Sequence, residues 1–256
     1  MNQSGKAQAF RAMHVKGAPV VLFNIWDAGS AKTVAEAGAK ALATGSAPLA
    51  AAQGYADGEV IPLDLMLTIV ARIAATVELP LSVDAEGGYA TAPAAVAETM
   101  RKIIAAGAIG VNFEDRIVGG TGLHPVALQA QRIAAIRAAG DAAGVPLVIN
   151  ARTDLFLASE PSSHAGHVEQ ALARAAAYAD AGADCFFVPG LKQPDLIARI
   201  CAGTGLPVNL LRAVGGPPVS ELAALGAARI SHGPFPYRDL MAHLGKRFQS
   251  ESGGPA

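Results

Sequence analysis

Ala106-Gly107-Ala108-Ile109-Gly110-Val111-Asn112-Phe113-Glu114-Asp115 reads as one complete structural step. An Ala-rich helical stretch over 93–106 ends at Gly107, where a glycine just past a helix takes the left-handed conformation that other residues resist. A short apolar run follows over 110–115 and finishes in polar side chains. That is the pattern of a strand covered on both faces whose far end carries chemistry. The Ala-Gly-Ala phrase returns at Ala37-Gly38-Ala39 and Ala181-Gly182-Ala183, and Gly226 closes another helical stretch. Each marks a return from helix to strand.

Outward from this step, strands are predicted at 20–25, 41–44, 81–86, 110–115, 147–153, 185–189, 207–211 and 229–233. Helices are predicted at 30–37, 62–77, 93–106, 125–143, 164–181, 194–202, 218–225 and 235–248. Pro62, Pro93, Pro125, Pro194 and Pro218 suit first helical turns, where a missing N–H removes no hydrogen bond. Eight strand–helix units in 256 residues predict an α/β fold, a (β/α)8 TIM barrel in a single domain over 1–248. An open, doubly wound sheet competes. It would carry fewer strands and, to bind a dinucleotide, a glycine-rich turn after the first one. Asn24-Ile25-Trp26-Asp27-Ala28 stands there instead. The Ser/Gly/Pro-rich tail 249–256 is expected to be loose and flexible.

Charged residues make up 16% of the chain, well below the roughly 25% of a typical soluble protein, so charges that gather in one place stand out. A net charge of -1 gives no field to recruit nucleic acid or an anionic membrane. No run of Lys and Arg offers a phosphate footprint. Cys185 and Cys201 lie in apolar stretches and read as buried thiols of a reducing compartment. No apolar run spans a bilayer, and the polar first ten residues lack a signal-peptide core. A cytoplasmic protein is expected.

Barrel chemistry sits at the C-terminal ends of the strands. Acids collect there on the third and fourth: Asp84-Ala85-Glu86-Gly87-Gly88-Tyr89 and Asn112-Phe113-Glu114-Asp115-Arg116. In an extended segment Asp84 and Glu86 share one side. Carboxylates packed together repel, and a hard divalent cation, Mg²⁺ or Mn²⁺, relieves the repulsion. The competing explanation is a set of salt bridges to Arg116 and Arg152.

Taken together, these segments resemble the isocitrate lyase / phosphoenolpyruvate mutase family. The resemblance runs from Asn24 to about Gly233. Beyond the two acid segments it rests on Thr44-Gly45-Ser46-Ala47, Gly54-Tyr55-Ala56-Asp57-Gly58-Glu59 and Asn150-Ala151-Arg152-Thr153-Asp154. It implies a (β/α)8 barrel that assembles as a homo-oligomer, tetramer or dimer, often with a C-terminal helix swapped between subunits. It implies a metal held by Asp84, with Asp57, Glu86 and Glu114 holding its waters. A small 2-oxo or 2-hydroxy acid would lie against Trp26, Leu42, Gly45, Ser46, Ala47, Asp84, Asn112, Arg152 and Asn209. Asp57, Glu114 and Arg152 are the expected catalytic groups.

The 116–124 loop, Arg116-Ile117-Val118-Gly119-Gly120-Thr121-Gly122-Leu123-His124, carries neither the Lys-Lys-Cys-Gly-His segment of the family's lyases nor the Lys-Thr-Asn-Ser loop of its phosphonomutase. The similarity is therefore to the short oxaloacetate-decarboxylase-like or provisional phosphonomutase branch. The expected reaction is C–C cleavage with an enolate as the electron sink. Phosphonopyruvate hydrolysis, phosphonomutase-type P–C chemistry and a non-catalytic dicarboxylate-binding role are the alternatives. His124 is the candidate base and the glycines of its loop suit a lid. A Schiff-base aldolase would need a desolvated lysine, and Lys192 is the one to consider.

Overall fold

The barrel closes through a broken strand. The segment predicted as one strand over 20–25 is two, β1 (Val20–Leu22) and β2 (Asn24–Ile25), interrupted at the exposed Phe23. The computed structural model describes residues 1–252. The remaining strands are β3 (Leu42–Thr44), β4 (Leu81–Asp84), β5 (Gly110–Glu114), β6 (Val148–Arg152), β7 (Cys185–Phe187), β8 (Val208–Leu211) and β9 (Arg229–Ser231). All pairings are parallel, in the order β1-β9-β8-β7-β6-β5-β4-β3-β2. Because β1 pairs only with β9 and β2 only with β3, the two halves act as one stave of an eight-stave, nearly closed barrel. The Asn24 side chain spans the break. Its Oδ1 accepts from the His232 and Gly233 N–H groups at 2.9 and 2.7 Å, and its Nδ2 donates to the Thr44 carbonyl at 2.8 Å.

The helices are α1 (Gln3–Ala12), α2 (Ala28–Glu36), α3 (Ser46–Ala52), α4 (Leu63–Thr76), α5 (Pro93–Ala105), α6 (Val126–Ala142), α7 (His164–Asp180), α8 (Pro194–Gly203), α9 (Val219–Ala224) and α10 (Phe235–Ser252). Pro93 and Pro194 open their helices as expected, whereas Pro62, Pro125 and Pro218 sit one residue earlier, as caps. Gly38, Gly107, Gly182 and Gly226 all have φ near +100°, as the Ala-Gly-Ala reading requires.

Two helices were not foreseen. α1 is largely polar and buries only Ala7 and Phe10. Asn2 caps it, and Phe10 sits at the N-terminal end of the barrel, beside Gly110. α3 is a short helix of about two turns in a loop read as a substrate cradle. At the other end, α10 runs past the expected boundary at Phe248 as far as Ser252, so 249–252 are helical rather than loose. The rest of the expected tail, 253–256, lies outside the described residues. Among the described residues, no helix is long and apolar enough to cross a membrane.

Candidate active site

Asp84 is the last residue of β4 and points into the barrel mouth, half-buried. Its Oδ1 accepts from Asn112 Nδ2 at 2.8 Å, and its Oδ2 accepts from the Ser46 N–H at 3.2 Å. Its own N–H donates to Thr44 Oγ1 at 2.9 Å. Donors from β5 and from the start of α3 thus hold the carboxylate, while β3 holds its backbone.

The chain then leaves the strand. Glu86 does not continue the alternation expected of an extended segment. It sits in a turn with φ +49°, so parity is not what brings it to Asp84. Among the described residues, the non-glycine positions with positive φ are Glu59, Glu86 and Tyr89, and they hydrogen-bond to one another. The Glu59 N–H donates to both Glu86 oxygens at 3.1 Å, and the Tyr89 N–H donates to Glu59 Oε1 at 2.7 Å. Left-handed backbone at bulky residues is strained, and it persists only where surroundings impose it. Here α6 imposes it. Arg132 donates to the Gly87 and Ala90 carbonyls, the latter at 2.9 Å, while its guanidinium stacks on Phe113. From the same helix, Gln129 Nε2 donates to the Glu114 carbonyl at 3.0 Å. The loop reaches the site as well: Val118 packs so near Gly87 that a Cβ there would lie 2.9 Å from its methyl.

Burial, with Asp84 and Asp57 nearby, pushes the Glu86 carboxyl up to about 8. Burial also raises Glu114, more than Arg152 lowers it. Burial alone would lower the Arg152 pKa, but Glu114 and Asp154 reverse this and hold the guanidinium charged. Arg152 Nη1 meets Glu114 Oε2 at 2.9 Å, and Nε and Nη2 form a two-pronged bond to Asp154 at 2.6 and 2.9 Å. Asp154 is in turn set by Asp115, which accepts its N–H at 3.0 Å and is itself held by Tyr178 and Arg174 at 2.8 and 3.1 Å. Salt bridges therefore account for only part of the acid cluster. Arg152 pairs with Glu114, yet Asp84, Glu86 and Asp57 have no cation of their own in the salt-bridge network of the described residues.

A cavity of about 290 Å³ opens over this arrangement. Gly45, Ser46, Ala47, Asp57, Asp84, Asn112 and Arg152, all expected at the site, line it together. Phe187, Leu211, Phe235 and Arg238 complete the wall. Other expected residues lie behind it. Leu42 is buried in the core, Trp26 packs edge-on against Tyr237, and Asn209 is fully buried against the Ser231 hydroxyl. Glu86 and Glu114 stand behind the lining surface. The expected cradle also differs in detail. The Gly45 N–H is held by the Ile25 carbonyl and the Ser46 N–H by Asp84, so the Ala47 N–H and Ser46 hydroxyl are the free donors. His124 is buried at the base of its loop, its carbonyl taken by Arg174, and is not part of the lining. Lys192 is exposed and outside the cavity.

Among the described residues, no three His, Cys, Asp or Glu side chains converge to cage a metal by themselves. A nitrogen–sulfur site of the zinc type is not built here. The donors are carboxylates with raised pKa values around one strand-end aspartate. They fit a hard divalent cation that keeps most of its waters and takes one or two carboxylates directly.

An α/β barrel with acids and one clamped arginine at its C-terminal mouth defines a class of enzymes acting on small anionic substrates. Residues 10–250 match the family model of phosphoenolpyruvate phosphomutase, and the chain belongs to that family, within the isocitrate lyase / phosphoenolpyruvate mutase superfamily. It is 31% identical over 243 residues to 2-methylisocitrate lyase of Salmonella typhimurium, covering 92% of this chain and 80% of that one. It is 33% identical over 192 residues to oxaloacetate decarboxylase of a Bradyrhizobium species, covering 73% of this chain and 62% of that one. A solved structure from Burkholderia cenocepacia, provisionally classed as a phosphonomutase, is 48% identical with a TM-score of 0.95, over 99% of this chain and 100% of the other. The relatives are carbon–carbon lyases and mutases.

Four participants escaped the sequence reading: Glu59, Arg132, Arg229 and Arg238. Glu59 ended a quoted motif but received no role. Arg229 had a visible signal, a charge at the start of an otherwise apolar strand, two residues before Ser231 and so on the same face.

Proposed function

We propose that this chain is a divalent-metal-dependent lyase that cleaves a carbon–carbon bond in a small 2-oxo or 2-hydroxy acid, with an oxaloacetate-like dicarboxylate as its substrate. The observation that carries this reading is the meeting of uncompensated acids with one immobilised guanidinium at a cavity of about 290 Å³, room for a small acid and little more. Asp84 would hold the metal directly, and Asp57, Glu86 and Glu114 would hold it through water. When bound, Mg²⁺ or Mn²⁺ supplies a Lewis acid that stabilises negative charge growing on a keto oxygen.

The chain's own residues account for the rest. Arg152 is clamped by Glu114 and Asp154, so its remaining N–H bonds meet a substrate carboxylate without losing side-chain freedom at that moment. The Ser46 hydroxyl and Ala47 N–H donate to a second set of anionic oxygens. Phe187 and Leu211 make the opposite side apolar, which favours loss of a neutral CO₂, and the electron pair left on carbon then takes a proton from solvent to give the 2-oxo acid product. Loss of CO₂ needs no general base, in keeping with a loop that has neither lysine nor cysteine and a His124 that lies outside the cavity.

A Mg²⁺-dependent screen of oxaloacetate, phosphonopyruvate, methylisocitrate and substituted malates tests this. Turnover of oxaloacetate that disappears with EDTA and in Asp84→Ala is expected. Full activity under either condition would remove the metal mechanism. The similarity to the Burkholderia structure favours a second reading, cleavage of a P–C bond, which release of inorganic phosphate from phosphonopyruvate would establish instead.

We further infer a homo-oligomer, tetramer or dimer. Leu240, Met241, Leu244 and Phe248 are exposed along α10, and an open apolar groove lies beside Val21 and Phe23. The buried free thiols of Cys185 and Cys201 favour a reducing, cytoplasmic setting.

A further inference from the structure

Below Asp84, inside the barrel, stands a cation without a partner. Arg229 opens β9, is 2% exposed, and its Nε and Nη1 atoms are buried without any hydrogen bond among the described residues. Its guanidinium lies 5.7 Å from the centroid of the Phe10 ring, at the lower end of the barrel. It lines the same cavity as Ser82 and Asp84. Its charge is felt on two sides. Burial drives the Cys185 thiol up to about 12 although Arg229 pulls it down, and burial drives His14 down to about 4 with Arg229 adding to the effect.

Other buried groups are unpaired among the described residues, His14 Nε2 at the lower end among them, and two lie inside the barrel. Ser82 Oγ, two residues below Asp84 on β4, has no partner, and neither does Asn150 Oδ1 on β6, beside Cys185 in register. A guanidinium stays charged, and a buried charge without an acceptor is strongly destabilising. The unpaired set mixes donors on Arg229, an acceptor on Asn150 and a hydroxyl that is both. An anion would suit Arg229 but would be repelled by Asn150 Oδ1 and by Asp84 above. Water suits all three, given two to four polar partners per molecule.

Asn150 begins a directional chain. Its Nδ2 donates to Asn112 Oδ1 at 3.0 Å, and Asn112 Nδ2 donates to Asp84 Oδ1 at 2.8 Å. Both amides point their donor end toward Asp84, and Asn150 Oδ1 at the far end is an open acceptor among the described residues. We propose that ordered water fills the lower barrel between Arg229, Ser82 and Asn150, and that through it Arg229 is a positioning residue that orients Asp84. Arg229 polarises the chain, the chain locks both asparagine side chains, and Asp84 Oδ1 is fixed as an acceptor so that the carboxylate faces the mouth in one orientation. This rests on Asp84 being the ligand-binding carboxylate of the proposed function.

A crystal structure at a resolution that shows single waters is the direct test. Waters within hydrogen-bond distance of both Arg229 and Asn150 Oδ1 are expected. A dry chamber, a bromide ion bound at Arg229 in soaked crystals, or Arg229 bonded directly to a protein acceptor would overturn the proposal. The second test is Mn²⁺ binding followed by electron paramagnetic resonance. Arg229→Met is expected to weaken it about tenfold, and Arg229→Lys to restore most of the loss. Simple electrostatics predicts the opposite sign, because removing a nearby positive charge should tighten a cation, so unchanged or tighter binding in Arg229→Met rejects positioning. Asn150→Leu cuts the chain while keeping Arg229 and is expected to weaken binding similarly, should the Met variant not fold. If the wild type binds no Mn²⁺, the proposed function falls. The Asn112 side-chain amide resonance then decides the relay: it should move in Arg229→Met, and an unmoved resonance overturns it.

Discussion

The two walls of the barrel mouth are built differently. Across β4, β5 and β6 stand Asp84, Glu86, Glu114, Arg152 and Asp154, with left-handed backbone at Glu59, Glu86 and Tyr89. A buried outer layer, Gln129 and Arg132 from α6 with Arg174 and Tyr178 from α7, holds them. Across β7, β8 and β9 the upper lining is Phe187, Leu211 and Ser231, with the charge of Arg229 set below them at the floor, and no non-glycine residue there has positive φ. Charge and strain concentrated on one side, with a relaxed apolar surface on the other, separate two tasks. On the proposed function, the acid wall would serve the reaction and the apolar wall the fit. Changes on the first should alter rate and metal response, and changes on the second should alter which acid is accepted.

The largest effect expected is from Asp84→Ala. Activity should fall by on the order of 10³-fold, with Mn²⁺ binding lost, because the carboxylate held by Asn112 and the Ser46 N–H is gone. The same variant should melt at a higher temperature than the metal-free wild type, since a crowded acid has been removed. A lower melting temperature would show that Asp84 is structural, and the contrast between the walls would fail. Arg152→Lys follows, with a loss of roughly 10²-fold. A lysine keeps the charge but cannot make the two-pronged bond to Asp154 and still face substrate. Equal activity in the Lys variant would mean that charge alone matters at this position.

Much of the acid wall was legible in the sequence because its residues end predicted strands, where position follows from strand parity and barrel topology. Asp84, Asn112, Glu114 and Arg152 are such residues. Glu86 was found for the wrong reason: it lies next to Asp84, but a left-handed turn brings it in, and no alternation rule describes such a turn. Arg132 was invisible because its role depends on how α6 lies over the 86–90 turn, a contact between segments 40 residues apart. The apolar wall was harder to read. Phe187 and Leu211 look like any core residue, and Asn209, expected against the substrate from the family resemblance, is turned inward to Ser231. The break at Phe23 left no sign either, since the run from Val20 to Ile25 is uniformly strand-like and Asn24 reads as an ordinary strand residue.

The acid wall should also respond to pH in a definite direction. The Glu86 carboxyl is raised from 4.5 to about 8 by burial and by neighbouring acids. The folded state therefore keeps a proton that the unfolded chain releases above about 4.5. By linkage the metal-free protein loses stability as pH rises through this window and levels off above about 8. Adding Mg²⁺ should reverse this, because the cation competes with the proton for the same carboxylates. The rise in melting temperature on adding Mg²⁺ should thus be larger at pH 8 than at pH 6. Equal shifts at both values would separate the raised acid from the metal and weaken the account of the acid wall.

The smallest effect belongs to the apolar wall and is a matter of ratio rather than rate. Leu211 ends β8, half-buried, and faces the cavity opposite Asp84. Leu211→Ala removes three heavy atoms from a surface that, on the proposed function, would meet the substrate's far end. A change of this size in an apolar pocket is worth about 10- to 200-fold in discrimination between homologous acids. Preference should move toward a longer or more branched acid at the expense of the shorter one, while the Mg²⁺ and pH responses stay as in the wild type. Those responses arise across the barrel and share no side chain with Leu211, so the two sets of effects should add. A Leu211→Ala variant that loses its Mg²⁺ dependence would show that the walls are coupled, and the division of labour between them would then have to be replaced by a single cooperative site.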